Sequence, residues 1–214
     1  TKVFRAESEE ITNAANAILA GCKPSPSKQV EIIKPTVDDI ANYALTHEAM
    51  VLCPTNATAS KINRRIQGLR AKSEYSVFTF LGNQIHSNDR LLFTKNNTKL
   101  GILNGHFGTF VKHDAEGIHL NMERVGSITL SYDEFVNVGP QLGYAVTGHK
   151  SQGAGFDSVV VVCENSSVCT KPWLYTTFTR AKQKPAFAEL GDIQSALSKP
   201  EKSRITQRLV PLVE

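Results

Sequence analysis

A nucleotide-binding loop of the form Gly-x-x-x-x-Gly-Lys-Ser/Thr occurs nowhere in this chain, and no Asp-Glu pair is read as closing an apolar strand. The first absence removes the backbone cradle for a triphosphate, and the second removes the carboxylate that would hold its magnesium. ATP binding and hydrolysis are therefore not expected of these residues alone. Cysteine is scarce: Cys22, Cys53, Cys163 and Cys169 form no C-x-x-C pair, and no histidine stands near the last two. That spacing fits no zinc pattern, so the thiols are read as reduced and incidental. The histidines at 47, 86, 106, 113, 119 and 149 offer no i,i+4 pair on a credible helix, and no metal site is expected. No Ser-His-Asp or paired-carboxylate arrangement stands out either. Apolar runs of about 18 residues and a charged-then-apolar leader are both missing. The chain is accordingly expected to be soluble and cytoplasmic, with no membrane partner, and the sequons at Asn56, Asn96 and Asn165 are read as chance matches. A single tryptophan leaves little for base stacking. The first residue is Thr1 rather than Met, which reads as a fragment of something larger.

What is present suits an α/β domain with an insertion. The 214 residues are 41% hydrophobic and 21% charged, enough to bury a core, and the net charge of +4 permits a nucleic-acid partner without demanding one. Ser8, Glu9 and Glu10 precede an apolar stripe at Ile11, Ala14, Ala15, Ile18 and Leu19, which predicts a capped helix ending at Gly21. A short strand is expected at 31–33, a helix from Thr36 to about His47, and a buried parallel strand over 49–53. The next helix starts at Thr55-Asn56, with Ala59, Ile62, Ile66 and Leu69 on one face and Lys61, Arg64, Arg65 and Arg70 on the other. From 77 to 135 the pattern changes to short β segments separated by turn signals, among them Asn104-Gly105 as a hairpin mark. Parallel-strand character returns at Val159–Val162, followed by a helix over 171–182. The expected architecture is an α/β core of residues 1–76 and 136–198, an inserted β-barrel of 77–135, and a tail of 199–214 that is helical or frayed.

The chemistry concentrates in three stretches. Thr147-Gly148-His149-Lys150-Ser151-Gln152-Gly153 offers hydroxyls, a ring nitrogen, an ammonium and an amide within one turn. Hydroxyls, backbone N–H groups and cations position a phosphate backbone without reading its sequence, and glycine lets the chain approach a nucleotide closely. Thr179-Arg180-Ala181-Lys182 supplies a planar, permanently charged fork suited to a transferring γ-phosphate. Pro54-Thr55-Asn56 ends a buried strand, where open α/β sheets bind ligands and a helix N-terminus attracts phosphate. Thr55 as a simple helix cap fits the same residues.

In order, YAVTGHKSQG, DSVVVV and LYTTFTRAK resemble the last two motifs of superfamily 1 helicases of the RecD-like group. The resemblance runs from Phe4-Arg5 to about Gly191 and implies a second RecA-like motor domain, α/β with a parallel sheet, carrying a small SH3-like β-barrel. The family's T-x-N element with a further Asn six or seven residues on is met by Thr55, Asn56 and Asn63, and the resemblance further implies that Thr55, Asn56, Thr147, His149 and Lys150 contact single-stranded nucleic acid, with DNA the expected kind. Gln152 and Gly153 would face the nucleotide, Arg180 would act as arginine finger supported by Tyr175 and Thr179, and Arg5 would reach the γ-phosphate. Arg180, Arg5 and Gln152 are thus the expected catalytic set. ATP and Mg2+ would be held mainly by an N-terminal RecA-like domain, the implied partner. The chain departs from the family pattern at Ala6, where Gln is usual, at Asn88, where Gly is usual, and at Gly148, where Ala or an apolar residue is usual. Asn88-Asp89-Arg90-Leu91 and Asn104-Gly105-His106-Phe107-Gly108 echo two family elements and are read as turns of the barrel. Lys95, Lys99, Lys112 and Arg124 fit a strand path or a solvated face equally. Two other readings remain open: a strand-binding module like the helicase-like part of conjugative relaxases, and a fragment of a viral RNA helicase.

Overall fold

The computed structural model describes residues 9–71, 75–151 and 154–199. Arg5, Gln152 and Gly153, with the tail beyond 199, lie outside the described residues. Along the chain run α1 (Glu9–Leu19), β1 (Glu31–Ile33), α2 (Val37–Thr46), β2 (Met50–Cys53) and α3 (Asn56–Arg70). There follow β3 (Val77–Phe80), β4 (Asn83–His86), β5 (Arg90–Phe93), a 3-10 turn at Thr98–Leu100, β6 (Phe107–Asp114), β7 (Gly117–Met122), β8 (Gly126–Leu130), α4 (Tyr132–Asn137) and β9 (Pro140–Leu142). The chain then forms β10 (Ala145–Thr147), β11 (Phe156–Cys163), α5 (Lys171–Phe178), β12 (Ala181–Glu189) and α6 (Ile193–Ser198).

A parallel sheet in the order β1-β12-β11-β2-β10 forms the middle layer. β2 and the Val159–Cys163 half of β11 are apolar on both faces because helices cover both, and the period of two is visible in β11. Val159, Val161 and Cys163 pack with Ile11, Ile18, Leu174 and Phe178 from α1 and α5. Val160 and Val162 point the other way, to Ile40 of α2 and Ile62 and Ile66 of α3. Both helices that follow a sheet strand on this face start on a threonine cap: Thr36 accepts from the Asp39 N–H and Thr55 from the Thr58 N–H. Pro185 sits in β12 opposite Val159, one residue before β1 begins to pair at Ala186, so its missing donor is needed on neither side.

The second unit is antiparallel, in the order β8-β7-β6-β5-β9, with the β3–β4 hairpin beside it. Phe78, Phe80, Leu91, Phe93, Phe110, Leu120 and Phe135 fill its separate core. Its last strand, Pro140–Leu142, lies beyond residue 135 and pairs with β5. The chain's Asp-Glu pair, Asp133-Glu134, opens α4 as part of a capping box with Ser131.

Two expectations need correction. The helix of 171–182 stops at Phe178, and Ala181 already begins β12, a nine-residue strand that the alternating Lys and Gln at its start disguise. Asn104-Gly105 joins no tight hairpin; the segment between β5 and β6 contains the 3-10 turn and an isolated bridge from Asn97 to Ile102. The tight hairpins turn instead at Leu81-Gly82, Ala115-Glu116 and Glu123–Val125. Asn88 does adopt the left-handed backbone, with φ of 68°. Among the described residues no helix is long and apolar enough to cross a membrane.

Candidate nucleic-acid interface and arginine corner

The candidate residues lie at opposite ends of the parallel strands. Thr55 follows the carboxyl end of β2, and Thr147 is the carboxyl end of β10, paired in register with Cys53. Gly148 continues that ladder, its N–H donating to the Cys53 carbonyl at 3.2 Å. The turn that follows is held from within: Ser151, fully buried, donates its hydroxyl to the Gly148 carbonyl at 2.8 Å and its N–H to the Thr147 carbonyl at 3.2 Å. His149 is left exposed and Lys150 half-buried at its crest. The Lys150 ammonium donates to Gln141 Oε1 at 2.8 Å, and burial lowers its pKa below the ordinary lysine value. Gly148 is buried for a reason visible in the packing, since a Cβ there would come within 2.6 Å of Trp173 Nε1 and 2.8 Å of Thr177 Cγ2.

Asn56, Thr147 and Lys150 line one groove of about 1020 Å³, together with Ser60, Arg64 and the tip of the β3–β4 hairpin. Thr55 is not on its wall; its hydroxyl caps α3 and donates to Thr58 Oγ1 at 3.2 Å, while Thr58 donates to Glu164. His149 is likewise outside the lining. One wall depends on Asn63, which the sequence pairs with Thr55 and Asn56 only by resemblance. Its buried amide bonds four backbone groups: Oδ1 accepts from the Tyr144 N–H at 3.0 Å and the Ala145 N–H at 2.8 Å, and Nδ2 donates to the Ala145 carbonyl at 2.7 Å and the Leu142 carbonyl at 3.2 Å. Asn63 thus pins the chain as it leaves the antiparallel unit and enters β10.

Asp89, 2% exposed, joins the same seam. Its carboxylate accepts from the Tyr144 hydroxyl and the His86 N–H at 2.8 Å each, and from the Gln67 side chain of α3. Tyr144 holds its proton more firmly than an ordinary phenol, chiefly through burial and then through the Asp89 charge. Sequence reasoning treats Asp89 as a turn residue; its buried charge, satisfied from three elements, is the signal a pattern search cannot see.

Arg180 occupies the other end. It lies between the close of α5 and the start of β12, half-buried, and its Nη1 donates to the Ala154 carbonyl at 3.3 Å. The Phe156 N–H donates to the Arg180 carbonyl at 2.9 Å, which fixes the amino end of β11 beside it. Thr179 donates its hydroxyl to the Tyr175 carbonyl at 2.9 Å and so closes the helix. The segment 148–155 therefore starts at the groove and ends against the arginine. Beside Ala154 and Gly155 a second cavity of about 440 Å³ is lined by Phe156, Lys182, Arg90 and His106. The His106 pKa is lowered by burial and by the Arg124 charge.

Elsewhere, Asp114, Glu116 and His119 bring possible ligand atoms within 4.8 Å of one another, a grouping no sequence spacing suggests. Lys112 Nζ stands 2.5 Å from Asp114, and His119 Nε2 lies 2.8 Å from it. The hydrogen bonds from Lys112 and then His119 hold the Asp114 carboxyl below its usual range. That carboxylate already has a cation, and the cluster is no better suited to a metal than to its own lysine.

Residues 142–185, which include the 147–151 turn and Arg180, match the model of the UvrD-like helicase C-terminal domain. The chain is 31% identical over 126 residues to the ATP-dependent RecD2 DNA helicase of Deinococcus radiodurans, a match over 58% of this chain and 17% of that protein. Among solved structures, Bacteroides Pif1 bound to single-stranded DNA superposes with a TM-score of 0.63 at 17% identity, over 96% of this chain and 54% of that one. Candida albicans Pif1 does so with a TM-score of 0.60 at 13% identity, over 94% and 57%. The chain thus spans less than a fifth of the curated relative and about half of the Pif1 chains. Residues 142–185 are thus similar to a UvrD-like helicase C-terminal domain, and the fold is the RecA-like one shared with the Pif1 structures.

Proposed function

We propose that this chain is the second motor domain of an ATP-dependent DNA helicase, gripping single-stranded DNA in the groove between α3 and the β3–β4 hairpin. The observation that carries the reading is the meeting of Asn56, Thr147 and Lys150 on one groove at the carboxyl ends of the strands, with Arg180 held at the opposite end. Ligands of open α/β sheets bind outside the carboxyl ends of the strands, and the groove offers a strand what a phosphate backbone accepts: hydroxyl, amide and ammonium groups. Thr55 and His149 stand at its margin, and a bound strand can reach them without a change of fold. The chain has a permanent cation for a γ-phosphate but no loop to cradle one, so it completes a nucleotide site supplied by an N-terminal RecA-like domain. ATP with Mg2+ would supply a phosphoanhydride bond to be cleaved there. Arg180 and Arg5 would neutralise charge on the γ-phosphate, and Gln152 and Gly153 would bring the backbone close to it. Translocation from 5′ to 3′ is the polarity the helicase resemblance suggests.

The test is titration of a fluorescent single-stranded oligonucleotide with this chain, at low and moderate salt, beside an ATPase assay. Binding that weakens steeply with salt, no ATP turnover, and unchanged strand affinity in Arg180→Ala are the expected results. Turnover by this chain alone would overturn the reading, as would binding that ignores salt.

A further inference from the structure

The spacing of Cys163 and Cys169 fits no metal site, yet the fold brings their sulfurs to 3.6 Å. Cys163 ends β11, and Cys169 directly precedes Thr170, the cap of α5, so the loop between them closes on itself. Both side chains are completely buried. The loop is held from two sides. The Cys169 N–H donates to Ser166 Oγ at 3.2 Å, and the Lys199 ammonium donates to the Ser166 carbonyl at 2.6 Å and the Cys169 carbonyl at 3.3 Å. An ammonium beside a thiol favours the thiolate, which is the nucleophile in every oxidation of cysteine. The contact between the two sulfurs acts unequally: it pushes the Cys163 thiol up, with burial adding to the rise, and it holds Cys169 down. Cys169 is therefore the thiol of the pair that ionises more readily, and Cys163 the one that keeps its proton. Asn165 and Ser167 are exposed on the loop, so an outward movement of that loop opens a way in for a small oxidant.

We propose that Cys163 and Cys169 are a reversible modification site, a dithiol that closes to a disulfide on reaction with a hydroperoxide. The Cys169 thiolate attacks one peroxide oxygen, the O–O bond breaks, and hydroxide leaves, giving a sulfenic acid at Cys169. The Cys163 sulfur then attacks the Cys169 sulfur. The S–S bond forms, the S–O bond breaks, and the Cys163 proton departs with the hydroxyl as water. Two thiols together lose two electrons and two protons, and one hydrogen peroxide becomes two waters. The sulfurs need to close from 3.6 Å to about 2.05 Å, within reach of a rotamer change and a small shift of the loop. The other two thiols have different surroundings: Cys22 is exposed, and Cys53 is buried on the opposite face of the sheet. The bridge would tie the end of β11, the middle strand of the sheet, to the start of the helix that leads to Arg180. It depends on no assumption about strand binding or ATP.

The experiment uses the folded chain carrying Cys22→Ser, which removes the exposed thiol and with it cross-linking between molecules. After treatment with hydrogen peroxide in native buffer, free thiols are alkylated in denaturant and the chain is cut at glutamate. Glu164 lies between the two cysteines, so a bridge appears as two linked peptides, unalkylated, lighter by two hydrogens and separated by dithiothreitol. That is the expected product. Full alkylation of both cysteines, at a peroxide dose that oxidises Cys22 in the unsubstituted chain, would overturn the proposal. So would linkage that forms only when peroxide is added to unfolded chain, or linkage that joins Cys53 instead.

Discussion

The two ends of the parallel sheet solve different problems. At the carboxyl ends of β2 and β10 the walls are complete within the chain. Thr147 closes a strand, Lys150 rests on Gln141, and Asn63 fastens the backbone beneath them. At the amino ends of β11 and β12, Arg180 has only its own chain to hold in this structure, and it bonds the Ala154 carbonyl. A groove needs shape, which local hydrogen bonds supply. Under the proposed role, an arginine that serves another domain needs only to be kept ready, and the neutral Ala154 carbonyl is a partner that a phosphate can replace. The segment 148–155 joins both ends, so a displacement of one has a short covalent route to the other.

The sharpest way to break the contrast is at the groove's fastening. Asn63→Ala leaves the Tyr144 and Ala145 N–H groups and two carbonyls without their side-chain partner in a buried setting, at about 1–3 kcal/mol for each orphaned group that water cannot reach. A loss of roughly 3 kcal/mol is expected in urea denaturation, with strand binding falling as β10 loosens. A loss below about 0.5 kcal/mol, the range of ordinary surface substitutions, would show that the groove is fastened elsewhere. Next in size is Gly148→Ala, whose new methyl group meets Trp173 and Thr177; overpacking of this kind costs roughly 1–3 kcal/mol. Because the nearest atom is the indole nitrogen, Trp173→Phe in the same chain should recover part of the loss. No recovery in the double variant would place the strain on Thr177 instead.

How far these ends were legible in the sequence follows from what each depends on. Continuous apolar runs announced β2 and β11 because burial on both faces leaves no polar position to confuse the pattern. The chemistry of 147–153 was legible as residue types, and the resemblance already split it between strand and nucleotide, but that Thr147 and Arg180 stand at two ends of a sheet was not legible. That placement arises from strand register, with Val159 rather than Phe156 standing opposite Met50. β12 was hidden because Lys182, Gln183 and Lys184 open it on an exposed stretch, and its apolar half is short. The bonding of Asn63, Asp89 and Tyr144 escaped for a different reason: most of their partners lie 22 to 82 residues away, and no local pattern encodes a buried amide's four bonds. Cys163 and Cys169 are six residues apart in sequence, yet only the return of the loop before α5 makes them neighbours.

The smallest expected effect is also the most specific to the groove. Lys150 is the lysine on its wall, and burial already lowers its pKa. Replacement by Met should weaken a single strand about five-fold, on the order of 1 kcal/mol, and reduce the slope of log affinity against log salt by about one. The pH dependence has two signs that separate binding from folding. The folded chain holds the Lys150 proton less firmly than the unfolded chain does, so fold stability rises as pH rises through that lowered pKa. If strand binding uses the ammonium as proposed, affinity falls over the same range, beginning at a lower pH than for an ordinary lysine. Lys150→Arg keeps a cation that does not titrate there, and it should flatten the alkaline fall in affinity while leaving the salt slope in place. An identical alkaline fall in the arginine variant would move the titrating group away from Lys150.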